Sequence, residues 1–194
     1  MESLQKYGGM SMERRENQRV MLTKRLIQES LTELLKTEGI HKISVRALCE
    51  GAGINRSTFY RYYGSQYDVL TEMEEEVLQD VAYLLRQDPV SSDREKLEAI
   101  CAYFERHMDS VRVLVGNNVD PEFPRKLFGM PLVREMIFER MGPDVDEEMQ
   151  RYIYIFLING AYHLVQEWID CDSQRPFKEI AYLLEELIDR LCRG

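Results

Sequence analysis

Between Ser44 and Tyr63 two short amphipathic stretches are separated by Gly51-Ala52-Gly53, and no other pattern in the chain constrains its fold as strongly. Ser44 is a residue type whose side chain starts helices, and the segment it opens runs through Glu50 before the glycines break it. Asn55 is a second such starter, opening a helix from Arg56 that ends near Gly64. At about 100° per residue, Phe59 and Tyr63 fall on one side of this second helix, where Val45, Leu48 and Ile54 complete a small core. Ser57, Thr58, Tyr60 and Arg61 must then face away. Two short helices joined by a glycine-bearing turn are the signature of a helix-turn-helix.

The outward set is rich in hydroxyls, guanidinium and phenol and holds no carboxylate. Such a face suits DNA: arginine bonds the O6 and N7 of guanine as a fork, serine and threonine reach base edges or phosphate, and tyrosine donates to phosphate oxygens. A helix N-terminus aimed at a groove adds free N–H groups and a favourable dipole, and Arg46 is placed to grip the backbone. The net charge of −9 argues against nucleic acid until the chain is divided. Residues 1–66 hold 11 Lys or Arg against 7 Asp or Glu, a net of +4, whereas residues 67–194 hold 14 against 27, a net of −13. A basic N-terminal unit that meets phosphates, carried by an acidic body, follows from that split.

The remaining pattern is helical throughout. Residues 1–18 are polar, contain Gly8-Gly9 and lack periodicity, so they read as a flexible arm in which Arg14, Arg15 and Arg19 are available to phosphates. From Thr23 the spacing of Ile27, Leu31, Leu34 and Leu35 predicts a helix that Gly39 caps. Ser65 and Asp68 match a capping box for a long fourth helix, whose Leu70, Met73, Val77, Val81 and Leu84 keep helical spacing until Pro89. Further helices are expected near 93–115, 122–129, 131–141, 146–170 and 177–192, with breaks at Gly116-Asn117-Asn118, Asp120-Pro121, Gly142-Pro143 and around Asp172. The fold class is all-α: an N-terminal three-helix bundle over residues 19–66, joined through the fourth helix to a larger helical body over residues 67–194.

The stretch Ser44-Val45-Arg46-Ala47-Leu48-Cys49-Glu50-Gly51-Ala52-Gly53-Ile54-Asn55-Arg56-Ser57-Thr58-Phe59-Tyr60-Arg61-Tyr62-Tyr63 resembles the helix-turn-helix of the tetracycline-repressor (TetR) family of bacterial regulators, including its Thr-Phe-Tyr-x-Tyr-Tyr signature. The likeness covers residues 20–70 and is weaker beyond residue 90. It implies DNA contacts from Ser44, Arg46, Arg56, Ser57, Thr58, Tyr60, Arg61 and Tyr62. One departure stands at the start of the fourth helix, where the family has a phosphate-touching lysine and this chain has Gln66.

For the body, the stretch Tyr152–Ile158 is apolar on nearly all sides, so its helix must be covered on every face. With the apolar stripe Phe177, Ile180, Leu184, Leu187, Ile188 and Leu191, it predicts a homodimer through helices 146–170 and 177–192, a four-helix bundle that the resemblance also implies. Aromatic, methionine and polar residues gather in the body at Tyr103, Phe104, His107, Met108, Phe128, Met136, Phe138, Tyr154, Asn159, His163 and Trp168. The resemblance implies that such residues line an inducer pocket, with Tyr103, His107, Phe128, Tyr154, Asn159 and His163 as the ligand-binding candidates. Asn159 and His163, one turn apart, are placed either to orient a ligand or to bond across the dimer.

Enzymatic readings find little support. His41, His107 and His163 lie far apart, and the chain has no HExxH motif, no Gly-rich phosphate loop and no metal-ligand spacing, so no cofactor or metal is expected. Glu74-Glu75-Glu76 reads as a solvated face. Cys49, Cys101, Cys171 and Cys192 form no CxxC pair and read as reduced packing residues, which with the lack of a signal-peptide pattern or a span of about 20 apolar residues points to a cytoplasmic protein. The expected function is a repressor that a small-molecule inducer releases from a palindromic double-stranded DNA operator. The alternative is a family member that acts as a co-activator or adaptor through a partner protein.

Overall fold

The computed structural model describes residues 3–86, 92–116, 119–142, 144–170 and 176–193, of which 3–15, 170 and 193 by backbone alone. Cys171 and the expected breaks at Pro89, Asn117-Asn118, Pro143 and Asp172 lie outside these. All regular elements among the described residues are helical, as the periodicity predicts: α1 Ser3–Leu35, α2 Val45–Gly51, α3 Arg56–Phe59, α4 Gln66–Arg86, α5 Asp93–Arg106, α6 Met108–Val111, α7 Glu122–Phe128, α8 Pro131–Arg140, α9 Glu147–Asp170 and α10 Phe177–Arg193. A short 3-10 turn, Ile40–Lys42, precedes α2, and a π-helical turn, Arg112–Gly116, follows α6. The chain forms two compact units, Met1–Met73 and Glu74–Gly194, with the boundary inside α4.

In the first unit α1 buries Ile27, Leu31 and Leu35, the face its spacing predicts, and packs on α2. Two details differ from expectation. The backbone of residues 3–18, expected to be an arm, continues α1, because no proline interrupts it and a Gly8-Gly9 pair costs a helix only about 2 kcal/mol against alanine. The end of α1 lies at Leu35, where Lys36, Thr37 and Glu38 turn back onto Glu33 and Leu34 carbonyls. Gly39 is therefore no C-cap: its φ of −70° and ψ of 148° are extended, and it precedes the 3-10 turn.

The second unit gathers its helices around α9 and α10: α10 packs on α5, α8 and α9, and α7 and α8 pack on α9. A capping box starts α5, Ser92 Oγ accepting from the Glu95 N–H at 3.3 Å while Glu95 Oε2 accepts from the Ser92 N–H at 2.8 Å. The single helix expected over 93–115 is interrupted at His107, whose φ of −114° and ψ of 26° are not helical. On α4 the buried residues Leu70, Met73, Val77 and Val81 fall as predicted, but Leu85 rather than Leu84 completes the row.

Glu74 departs furthest from its sequence reading. Glu75 and Glu76 are solvated, but Glu74 is buried, 5% exposed. Its Oε2 lies 3.9 Å from Lys126 Nζ, and its buried Oε1 has no hydrogen-bond partner. Burial pushes its carboxyl up to about 7, and the charge of Asp120 adds to this against the pull of Lys126. The folded chain thus holds this proton more tightly than the unfolded chain does. The resulting stabilisation is complete below the ordinary carboxylate range and is lost as pH rises through about 7. Denaturant melts at roughly pH 5 and pH 8 should show Glu74→Gln losing about 2–3 kcal/mol less stability than the unaltered chain over that interval. Parallel losses in both would place the carboxyl in water.

Candidate nucleic-acid interface

The turn between α2 and α3 is built from backbone requirements that the sequence meets residue by residue. Ser44 Oγ accepts from the Ala47 N–H at 3.1 Å and starts α2. At its other end the Ile54 N–H bonds the Cys49 carbonyl at 3.0 Å and the Gly53 N–H bonds that of Glu50 at 3.3 Å, the paired closure of a Schellman motif. That closure needs a left-handed residue, and Gly53 supplies it with φ of 64°. Gly51 serves a different purpose, since a Cβ there would stand 2.3 Å from Ser30 Oγ, which itself donates to the Leu48 carbonyl at 3.1 Å. Without that glycine α1 and α2 could not approach so closely.

Asn55 organises α3. Its Oδ1 accepts from the Thr58 N–H at 2.8 Å, from Thr58 Oγ1 at 2.9 Å and from Ser57 Oγ at 2.6 Å. The two hydroxyls are held at the helix start with lone pairs still available, and each can swing its proton to a phosphate. Phe59 is fully buried and Tyr63 nearly so, their ring centroids 5.7 Å apart, beside the fully buried Leu48. The Tyr63 hydroxyl donates to Glu72 Oε2 on α4, and Lys24 Nζ on α1 pairs with Glu72 Oε1. The predicted core therefore forms around Phe59, Tyr63 and Leu48, with Val45 and Ile54 half-buried at its edge.

Ser44, Arg46, Arg56, Ser57, Tyr60 and Arg61 are exposed, and Thr58 and Tyr62 half-buried. Tyr60 leaves 58% of its surface uncovered although its ring meets Phe59 edge-on at 5.6 Å. Neither Arg56 nor Arg61 is ion-paired among the described residues, whereas Arg46 Nε donates to Glu50 Oε1 at 2.7 Å, a carboxylate that offsets its charge toward a phosphate. Gln66 opens α4, where Asp68 accepts from the Gly64 and Ser65 N–H groups at 2.7 and 3.2 Å. These bonds draw the Asp68 carboxyl below its ordinary range.

In the second unit a cavity of about 190 Å³ lies between the C-terminal part of α4, α5 and α7–α10. Of the six ligand candidates only Phe128 lines it; Phe104 and Met136 from the wider aromatic and methionine set do so too. Tyr103 is buried against the His107 ring at 4.6 Å, and burial, then the neighbouring Asp80, holds its phenol above the ordinary range. Tyr154 stacks on Phe138 at 5.7 Å. Asn159 and His163 are exposed, and Asn159 Nδ2 donates to its own helix at the Ile155 carbonyl, 2.7 Å away. Their helix face also exposes Tyr152 and Phe156, at 52% and 66%, and α10 exposes Leu183, Leu187 and Leu191 at 43%, 38% and 44%. Arg140, which no sequence pattern marked, bridges α8 to Asp93 at 2.8 Å and to Asp189 at 3.2 Å beside the cavity. Cys49, Cys101 and Cys192 are buried, and burial lifts the thiol of Cys101 to about 12. No helix among the described residues is long and apolar enough to cross a membrane.

Comparison with known proteins accords with this geometry. No curated protein sequence matches the chain. Among solved structures it is similar to a TetR transcriptional regulator from Streptococcus agalactiae 2603V, at 21% identity and a TM-score of 0.66 over 89% of this chain and 97% of that one. It is also similar to the dihydroxyacetone kinase operon activator DhaS, at 18% identity and a TM-score of 0.61 over 89% and 97%. Residues 27–73 match the model of bacterial regulatory proteins of the tetR family, and residues 94–190 match that of a transcriptional regulator C-terminal region. The chain belongs to the TetR family of transcriptional regulators, and its helix-turn-helix lies within its TetR-type N-terminal domain.

Proposed function

We propose that the chain is a cytoplasmic homodimer that reads a palindromic operator with residues 19–66 and is released from it when a small molecule enters the body formed by residues 67–194. The observation that carries this reading is the face of α3 and the turn after it: Arg56 and Ser57 on the helix and Tyr60 and Arg61 just beyond it stand exposed, without a carboxylate among them, on a segment fixed by the burial of Phe59. Ser44, Arg46, Thr58 and Tyr62 extend it toward the phosphates on either side, and the basic Arg14, Arg15 and Arg19 lie on the same chain segment upstream. Two-fold proteins read paired half-sites spaced by helical turns. The uncovered apolar residues of α9 and α10 support a second copy as their cover, with Asn159 and His163 among them. A ligand that binds one setting of α4 better than another would shift the spacing of two recognition helices.

A second reading is favoured by one comparison: the neighbour DhaS is described as an operon activator. Activation would use the same DNA-reading face or a partner protein held by the body. A site selected from random duplex DNA separates the readings, since an adaptor that works through protein contact selects no palindrome.

Against such a duplex, Arg61→Ala and Tyr60→Ala should each weaken specific binding by about 1–3 kcal/mol in a mobility-shift titration. Unchanged specific binding in both variants would remove α3 as the reader. Gln66→Lys supplies one more phosphate contact, so its log affinity should fall with log salt more steeply by about 0.9; an unaltered slope would show that α4 begins away from the backbone. In sedimentation, Phe156→Glu should raise the dimer dissociation constant at least about tenfold, because a buried aromatic anchor becomes a buried charge. A dimer of unchanged affinity would place the interface elsewhere.

A further inference from the structure

The cavity of the second unit has a wall whose chemistry restricts what can occupy it. Helices α5, α8, α9 and α10 contribute Ile100, Met136, Leu157 and Leu184, and α7 adds Phe128; among the described residues no serine, threonine, asparagine, glutamine, tyrosine or histidine lines it. Among the described residues charge enters through Asp93, Arg140 and Glu185. The one cation among these is already engaged. Arg140 donates from Nη2 to Asp93 Oδ2 at 2.8 Å, from Nε to the same oxygen at 3.3 Å and from Nη1 to Asp189 Oδ1 at 3.2 Å, with only 15% of its side chain exposed. Two carboxylates therefore already hold the one guanidinium on this wall.

Three consequences follow for an occupant. A carboxylate or phosphate would have to take Arg140 from the two carboxylates that hold it from α5 and α10. A hydrogen-bonding group carried inward would find no neutral side-chain partner among the described wall residues and would lose its water without replacement. Apolar surface meets no such cost, and apolar cavities of roughly 150 Å³ are known to stay dry and to take a benzene-sized guest. Well-packed domains keep few voids larger than a water, so a partly open cavity of about 190 Å³ lined by several helices is space for a guest.

We propose that this cavity binds a neutral hydrocarbon or aromatic molecule, one ring or a short chain, that is poor in hydrogen-bonding groups. The inference rests on the reading of the chain as a ligand-responsive regulator and names the ligand class of that regulator. Val81 and Leu85 of α4 form part of the wall, so the guest touches the helix that begins at Gln66 directly after the α3 segment.

Trp168, the chain's one tryptophan, reports on the site: it is buried, with its ring edge-on to that of Phe177, a wall residue, at 5.1 Å. The full-length protein is titrated with ethylbenzene, phenylacetate and phenethylamine, which share a skeleton and differ in charge, while Trp168 emission and operator binding are followed. Ethylbenzene should give a saturable change, with both ions at least about a hundredfold weaker. Filling the cavity by Ala161→Met, at a half-buried position, or by Ala181→Phe, at a buried one, should abolish the response while the helical circular dichroism is kept. Either ion binding as tightly as the hydrocarbon overturns the proposed class, as does the absence of a saturable response to ethylbenzene. A response that survives both fillings puts the guest elsewhere and overturns the site. Ethylbenzene that binds as expected yet leaves operator affinity unchanged upholds the cavity and contradicts the ligand-responsive reading instead.

Discussion

A four-residue helix has no stability of its own, because helix nucleation in water is unfavourable and short helices do not recover that cost. The recognition element α3 exists because Phe59 is driven out of water into the core of the first unit, and because Asn55 satisfies the Thr58 N–H, one of those that the helix leaves open. The direction in which Arg56, Ser57, Tyr60 and Arg61 point is thus set from behind, by a ring they do not touch water with. Removing Phe59 would leave those side chains in place in the sequence and nowhere in particular in space. The glycines belong to the same constraint: Gly53 turns the chain, and Gly51 lets α1 approach closely enough to close the core.

The acidic and basic parts of the chain divide along similar lines. Arg46, Arg56 and Arg61 lie on the exposed reading face, while the carboxylates of the second unit are held in ion pairs, at solvated faces and, in the case of Glu74, underneath the surface. A negative body discourages indiscriminate adhesion to nucleic acid and leaves attraction to the one face built for it.

Much of this was legible in the sequence because it is local. Ser44 and Asn55 act as caps by hydrogen bonds to residues three positions on, so their roles can be read from spacing alone. The burial of Ile27, Leu31, Phe59, Met73 and Val81 likewise follows from period. What escaped is what long-range packing decides. Glu74 sits beside two exposed glutamates, and only the approach of Asp120 and Lys126 from residues some fifty positions on distinguishes it. Arg140 looks like any basic residue near a helix end until α5 and α10 bring Asp93 and Asp189 to it. Asn159 and His163 show the limit in the other direction, since a polar pair on an apolar helix has the same spacing whether it faces a cavity or the outside. A helix with nearly all faces apolar has no phase from which to tell them apart.

The central claim, that the face of α2 and α3 meets the duplex, is tested most directly by amide hydrogen exchange of the full chain with and without a duplex it has selected from random sequence. Protection is expected to rise at Val45–Gly51 and Arg56–Tyr62, the amides that close around the reading face, with α9 and α10 unchanged. Protection that appears on α9 and α10 while residues 44–62 exchange as before would contradict it.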